Sequence, residues 1–88
     1  MSINNKTRIY WACRRGMHEL DFSIMSFFKY EYDTLDNNDK FLFIRLLSND
    51  DLDLVNWLIN YRESPDHELQ RMIKLIQIRN KTRSFIAI

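Results

Sequence analysis

Few side chains in this sequence can do covalent or metal chemistry, and none keeps the company such chemistry needs. The two histidines, His18 and His67, stand far apart, and Cys13 is the sole thiol. No CxxC or HExxH pattern of paired ligands occurs, which argues against zinc. A nucleophilic cysteine requires a base and an orienting group. Cys13 instead shares an apolar face with Ile9, and a small buried hydrophobe is the simpler reading. Asp50, Asp51 and Asp53 look like the start of a calcium loop, but its glycine and distal glutamate are missing. A helix N-terminus accounts for those acids better. A glycine-rich phosphate loop is impossible with one glycine.

The chemistry that remains is recognition. The lone glycine, Gly16, sits in Trp11-Ala12-Cys13-Arg14-Arg15-Gly16-Met17-His18-Glu19. Glycine tolerates positive φ and ends helices cheaply just past the cap. The segment predicts one helix ending at Arg14 or Arg15, a tight corner at Gly16 and a second helix from Met17. At 100° per residue, Arg8, Trp11 and Arg15 fall at about 0°, 300° and 340°, whereas Ile9 and Cys13 fall at about 100° and 140°. The first helix can therefore bury one side and show two arginines and a tryptophan on another. Arginine and tryptophan are typical anchors of protein interfaces. On this reading Arg8 and Arg15 are exposed, and alanine at either costs under about 1 kcal/mol. The alternative has Trp11 in the core and Arg15 paired with Glu19 to hold the corner. An Arg15–Glu19 pair can serve both, since a bridge that stiffens a corner also presets an interface.

The elements that must position these residues read as helices throughout. One proline and one glycine supply little of the turn chemistry an all-β chain requires. Leu69, Met72, Ile73 and Ile76 follow the i, i+3, i+4, i+7 spacing. Ser64-Pro65 predicts a cap and first-turn proline for that helix, with Asp66 and Glu68 at its positive end. Leu54, Val55 and Leu58 mark a helix started by Asp50 or Asp51. Phe41, Ile44 and Leu47, or alternatively Phe43 and Leu47, mark one behind a cap at Asp36 or Asn37. Leu20, Ile24, Phe27 and Phe28 mark the helix after Gly16, and Ile9, Ala12 and Cys13 the first. The expectation is an all-α, compact five-helix bundle, one small domain over residues 1–88. Residues 80–88 show no clear helical face and are expected to form a mobile basic tail. Phe27, Phe28, Phe41, Phe43 and Trp57 are assigned to the core. Tyr30, Tyr32 and Tyr61 are candidates for a second exposed rim.

Composition limits the function further. A domain of 88 residues buries roughly 60–65% of its unfolded surface, which leaves little room for a deep substrate cavity. The 45% hydrophobic content fits a globular protein. No apolar run reaches the ~20 residues of a membrane span, and no signal-peptide-like stretch opens the chain. With a single cysteine, these features predict a cytoplasmic protein. The net charge of +1 hides a pattern: residues 1–18 carry +4, residues 19–68 carry −8 and residues 69–88 carry +5. Either the ends neutralise the middle on folding, or a basic face is offered to an acidic partner. Nucleic acid is a poor partner, since no helix-turn-helix, zinc or RNP signature accompanies that charge.

Arg15-Gly16-Met17-His18-Glu19 matches the RGxxE motif of the succinate dehydrogenase assembly factor 2 family, bacterial type. The resemblance covers nearly the whole chain. Trp11-Ala-Cys-Arg-Arg-Gly-Met resembles the family's opening block and Phe27-Phe28-x-x-Glu31-Tyr32-Asp33 its second. Asp51-x-Asp53-Leu54-x-Asn56-Trp57-Leu58 and Glu68-Leu69-x-x-Met72 look like the third and fourth. Leu52 departs from the family's common proline, which is optional in a first helical turn. His18 occupies a free position of the motif. The resemblance implies a non-catalytic helper that binds the flavoprotein subunit of succinate dehydrogenase, and of fumarate reductase in bacteria. It would promote covalent attachment of FAD to a histidine of that subunit, holding no cofactor stably itself and acting as a monomer. By motif, Arg15, Gly16 and Glu19 would form the contact surface, flanked by Arg8, Trp11, Arg14, Met17 and His18. Relatives of the family also suggest an antitoxin-like role toward a toxin or cytoskeletal filament proteins. A small enzyme or direct FAD carrier is a third class.

Overall fold

In the computed structural model, which describes the backbone of residues 2–86 and the side chains of residues 2–83, five helices follow one another with short connections. They are α1 (Lys6–Cys13), α2 (His18–Glu31), α3 (Asn37–Leu47), α4 (Asp51–Leu58) and α5 (His67–Ile86). A 3-10 turn over Tyr32–Thr34 links α2 to α3, and no strand occurs among the described residues. The fold is all-α. Its longest helices, α2 and α5, pack along each other; α1 and α4 lie against α2, and α3 closes on α5.

Helices α1, α3 and α5 start where a short polar side chain takes up free backbone amides. Asn5 accepts from the Arg8 amide at 3.3 Å and Asp36 from the Asp39 amide at 2.8 Å. The start of α5 differs from the sequence expectation. Asp66, not Ser64, caps it, accepting from the amides of Glu68 (3.0 Å) and Leu69 (3.2 Å). Ser64 lies one step upstream, where its hydroxyl accepts from the Asp66 amide at 3.1 Å and its own amide donates to Gln70 Oε1 at 2.7 Å. Pro65 therefore precedes the helix. The Asp66 carboxyl is held below its ordinary range chiefly by the Leu69 amide it binds, with help from Arg45.

The apolar stripes converge on one core. Ile9 and Cys13 of α1 meet Leu20, Ile24 and Phe27 of α2, Leu54 and Leu58 of α4, and Leu69, Met72, Ile73 and Ile76 of α5. In α3 the Phe43–Leu47 register is the buried one. Phe43 packs on Phe27 at 5.5 Å between ring centroids, while Phe41 faces solvent. Tyr32 leaves the proposed rim altogether. It is buried against Phe28 and Phe43, with its hydroxyl donating to the Ile3 carbonyl at 2.7 Å. Burial pushes the Cys13 thiol up to about 12, so it holds no thiolate at neutral pH and is inert as a nucleophile.

The basic C-terminal stretch is helical as far as Ile86, and up to Arg83 its side chains contact α2. Asn80 Nδ2 donates to the Ser23 carbonyl at 2.9 Å, and Arg79 and Arg83 converge on Glu31 at 3.2 and 3.6 Å. These contacts lie far away in sequence, which is why no local pattern announces them. Residues 87 and 88 of the expected tail fall outside the described residues. Much of the charge segregation is neutralised across the fold, through Lys6–Asp33, Arg15–Asp51 and Arg71–Asp39. Among the described residues, Arg8 and Arg14 of the basic N-terminal segment have no carboxylate within ion-pair distance.

Candidate functional site

The corner between α1 and α2 takes its shape from two side chains that clamp it from opposite sides. Helix α1 ends at Cys13, and Arg14 is already extended, with φ −91° and ψ 109°. Gly16 follows at φ +82°, the left-handed conformation that its lack of a side chain makes cheap. From the first turn of α2, Asp21 reaches back to the chain that enters its own helix. Its Oδ1 accepts from the Arg15 amide at 2.7 Å and its Oδ2 from the Gly16 amide at 3.1 Å. An anion is favoured there by the partial positive charge of the helix N-terminus.

Arg15 grips the corner from the other side. Its Nη1 donates to the Ala12 carbonyl at 3.1 Å, and its Nη2 to those of Leu47 (2.9 Å) and Asn49 (2.5 Å). Its Nε lies 2.8 Å from Asp51 Oδ1, in an ion pair not aligned as a hydrogen bond. The guanidinium thus ties the ends of α1 and α3 to the start of α4, satisfying carbonyls that those helix ends leave open.

This corrects two expectations. Arg15 does not pair with Glu19; Asp51 and three carbonyls offer it more acceptors in a sheltered place. Nor does Arg15 extend the exposed stripe, since its side chain is only 16% exposed. The helical angle that aligned it with Arg8 and Trp11 has no meaning beyond Cys13, where the helix stops. Arg8 and Trp11 are exposed, Trp11 at 61%, so Trp11 is not a core residue. Arg14 is exposed too, with its guanidinium 5.7 Å from the Trp11 ring centroid.

Beyond the clamp the corner is open. Gly16, Met17, His18 and Glu19 are all exposed, and a Cβ built on Gly16 meets nothing within 4 Å. Glu19 has no ion pair or hydrogen bond through its carboxylate among the described residues. Beside it lies a shallow hollow of about 300 Å³, lined by Met17, His18, Glu19, Leu20, Val55 and Ile59. No group of three potential metal ligands occurs among the described residues, and no helix there is long and apolar enough to cross a membrane. What the corner presents is an unpaired carboxylate, a cation–aromatic pair and a bare stretch of backbone, all on a fixed frame.

Reasoning from spacing missed Asp21 and Asp51. The only local signal for Asp21 is an acid in a first helical turn, which the dipole alone explains. Its clamp is testable. Asp21→Asn should cost about 1–2 kcal/mol, the scale of lost charge-assisted hydrogen bonds. Hydrogen exchange at the Arg15 and Gly16 amides should speed up in that variant. Unchanged protection at both amides would show that Asp21 does not hold the corner.

Comparison with known proteins gives a consistent picture. A family model described as "Flavinator of succinate dehydrogenase" matches residues 7–80. Proteins named FAD assembly factor SdhE are similar over almost the full length. The one from Yersinia pseudotuberculosis is 63% identical over 87 residues, covering 99% of each chain. That from Pectobacterium atrosepticum is 61% identical over 87 residues with the same coverage. That from Photorhabdus laumondii is 68% identical over 83 residues, covering 94% of each.

Proposed function

The chain belongs to the family of succinate dehydrogenase flavinators, and from that membership we propose that it binds the dehydrogenase's flavoprotein subunit and promotes covalent attachment of FAD to it. The observation that carries this reading is the clamped corner, which holds Gly16, Met17, His18 and Glu19 rigidly outward over open space. A docking surface needs that preorganisation, because ordering a floppy loop on binding subtracts from affinity. The factor acts as a helper, not as the catalyst. It binds one conformation of the flavoprotein more tightly than the others and so raises its population, while attachment proceeds on the flavoprotein's own groups. A tenfold preference shifts that equilibrium tenfold, about 1.4 kcal/mol. FAD is the client's cargo. Gly16 admits the partner's backbone, and Glu19 offers its free carboxylate to a donor on the partner. Arg8, Trp11 and Arg14 flank that contact, and Arg15 keeps its frame.

Titrating the factor against flavin-free flavoprotein separates docking from chemistry. Wild type and Glu19→Gln should reach the same plateau of covalent flavin, the variant at about tenfold higher concentration, as fits the loss of one charge-assisted contact. A plateau near zero with the variant demonstrably bound would mean that Glu19 takes part in the reaction, and would overturn the helper reading.

A further inference from the structure

A second surface begins where the corner ends. Between α1, α2 and the far end of α5 runs an open groove of about 780 Å³. Its floor and walls are apolar and aromatic, from Tyr10, Phe22, Met25, Phe28 and Tyr30, and among the described residues its charged lining is Lys29 and Arg83, with no acid. Phe22 is 68% exposed, a large cost in hydration for a side chain that holds nothing together. The groove is continuous with the corner. On α2, His18, Phe22, Met25 and Lys29 recur at i, i+4, i+7 and i+11, a stripe about 60° wide that starts at the corner. On α1, Tyr10 meets Trp11 edge to face at 5.5 Å, and Arg14, just past the helix end, holds its guanidinium against that same Trp11 ring.

The cations are held, not waving. Arg83 stacks on the Tyr30 ring at 4.8 Å and Lys29 approaches the same ring at 5.1 Å. Glu31 answers Arg79 and Arg83 together, so Lys29 adds to a local excess of positive charge. An occupant must therefore bring apolar side chains for the trough and negative charge for its end.

We propose that this groove is the second half of the client-docking surface and takes an apolar segment of the flavoprotein that ends in one or more carboxylates. The inference rests on the functional reading above. Its effect is to orient the client: the corner alone is a pivot, whereas corner and groove together fix a rotation.

The test measures affinity of flavin-free flavoprotein subunit for wild type, Phe22→Ala, Lys29→Glu and Gly16→Arg, at low and moderate salt, with a thermal melt of each. Phe22→Ala should weaken binding about tenfold, as buried aromatic anchors do, and melt like wild type. Lys29→Glu should weaken binding and flatten its salt dependence. A photo-crosslinker in place of Phe22 should capture the flavoprotein at an apolar stretch flanked by acids. If Phe22→Ala and Lys29→Glu bind like wild type while Gly16→Arg does not bind, the groove inference falls and the corner stands. If wild type itself does not bind the flavoprotein, the functional reading falls with it. A wild-type dimer that Phe22→Ala dissociates, with client affinity unchanged, would assign the groove to a second copy and overturn the proposal.

Discussion

Arg15→Ala should lower the thermal midpoint by about 12–24 °C, the shift expected of about 3 kcal/mol in a domain of this size. The loss comes from the acceptors the guanidinium leaves behind. The carbonyls of Ala12, Leu47 and Asn49 lose their donor, and Asp51 loses its ion pair. A partly sheltered polar group left without a partner costs about 1–3 kcal/mol. Some of that is recovered here because Asp51 is half exposed and can be hydrated. Arg15→Lys should restore only part, since a single ammonium cannot span acceptors that a planar fork reaches together. Arg8→Ala is the internal control. Arg8 is exposed and has no acid partner among the described residues, so its removal should shift the midpoint by no more than the few degrees that about 0.5 kcal/mol represents. Differential scanning calorimetry of the three variants decides the matter. An Arg15→Ala midpoint equal to that of Arg8→Ala would make Arg15 a surface residue after all.

Gly16→Arg should abolish support for flavinylation and yet leave a folded helical domain. The backbone at φ +82° charges any L side chain about 1–2 kcal/mol of strain. That lowers the midpoint without unfolding the protein, because a Cβ here meets nothing within 4 Å. The same open space carries the arginine side chain straight into the volume a docked partner would occupy. Gly16→Ala separates the two effects, since it pays the same strain and adds almost no bulk. It should melt as Gly16→Arg does and keep most of its activity. The readout is covalent flavin on the dehydrogenase subunit in cells that lack the native factor. Normal flavin levels with Gly16→Arg would remove the corner from the docking surface. Equal loss in both variants would trace the defect to the backbone shift and not to obstruction.

The sequence alone was enough for whatever depends on near neighbours. Five helices, two of their starts to within a residue (Asp36 or Asn37, Asp50 or Asp51), the buried faces around Ile24 and Met72, and the left-handed glycine were all legible. Each follows from a periodicity of 3.6 residues, or from a backbone requirement met within a few residues. The corner was legible in the same way, as one glycine between two apolar stripes. Which of its charges face solvent was not. Arg15 finds acceptors at Leu47 and Asn49 and an ion pair at Asp51, all brought near only when the ends of α1 and α3 and the start of α4 pack together. Asp21 became a clamp because the chain turns sharply enough to bring two amides onto one carboxylate. Asn80 and Arg83 belong to an anchored helix because Ser23 and Glu31 lie across from them on α2. Local propensity carries no information about such partners. A charged side chain takes the best acceptors within reach, and it is the packing of the helices that decides what lies within reach.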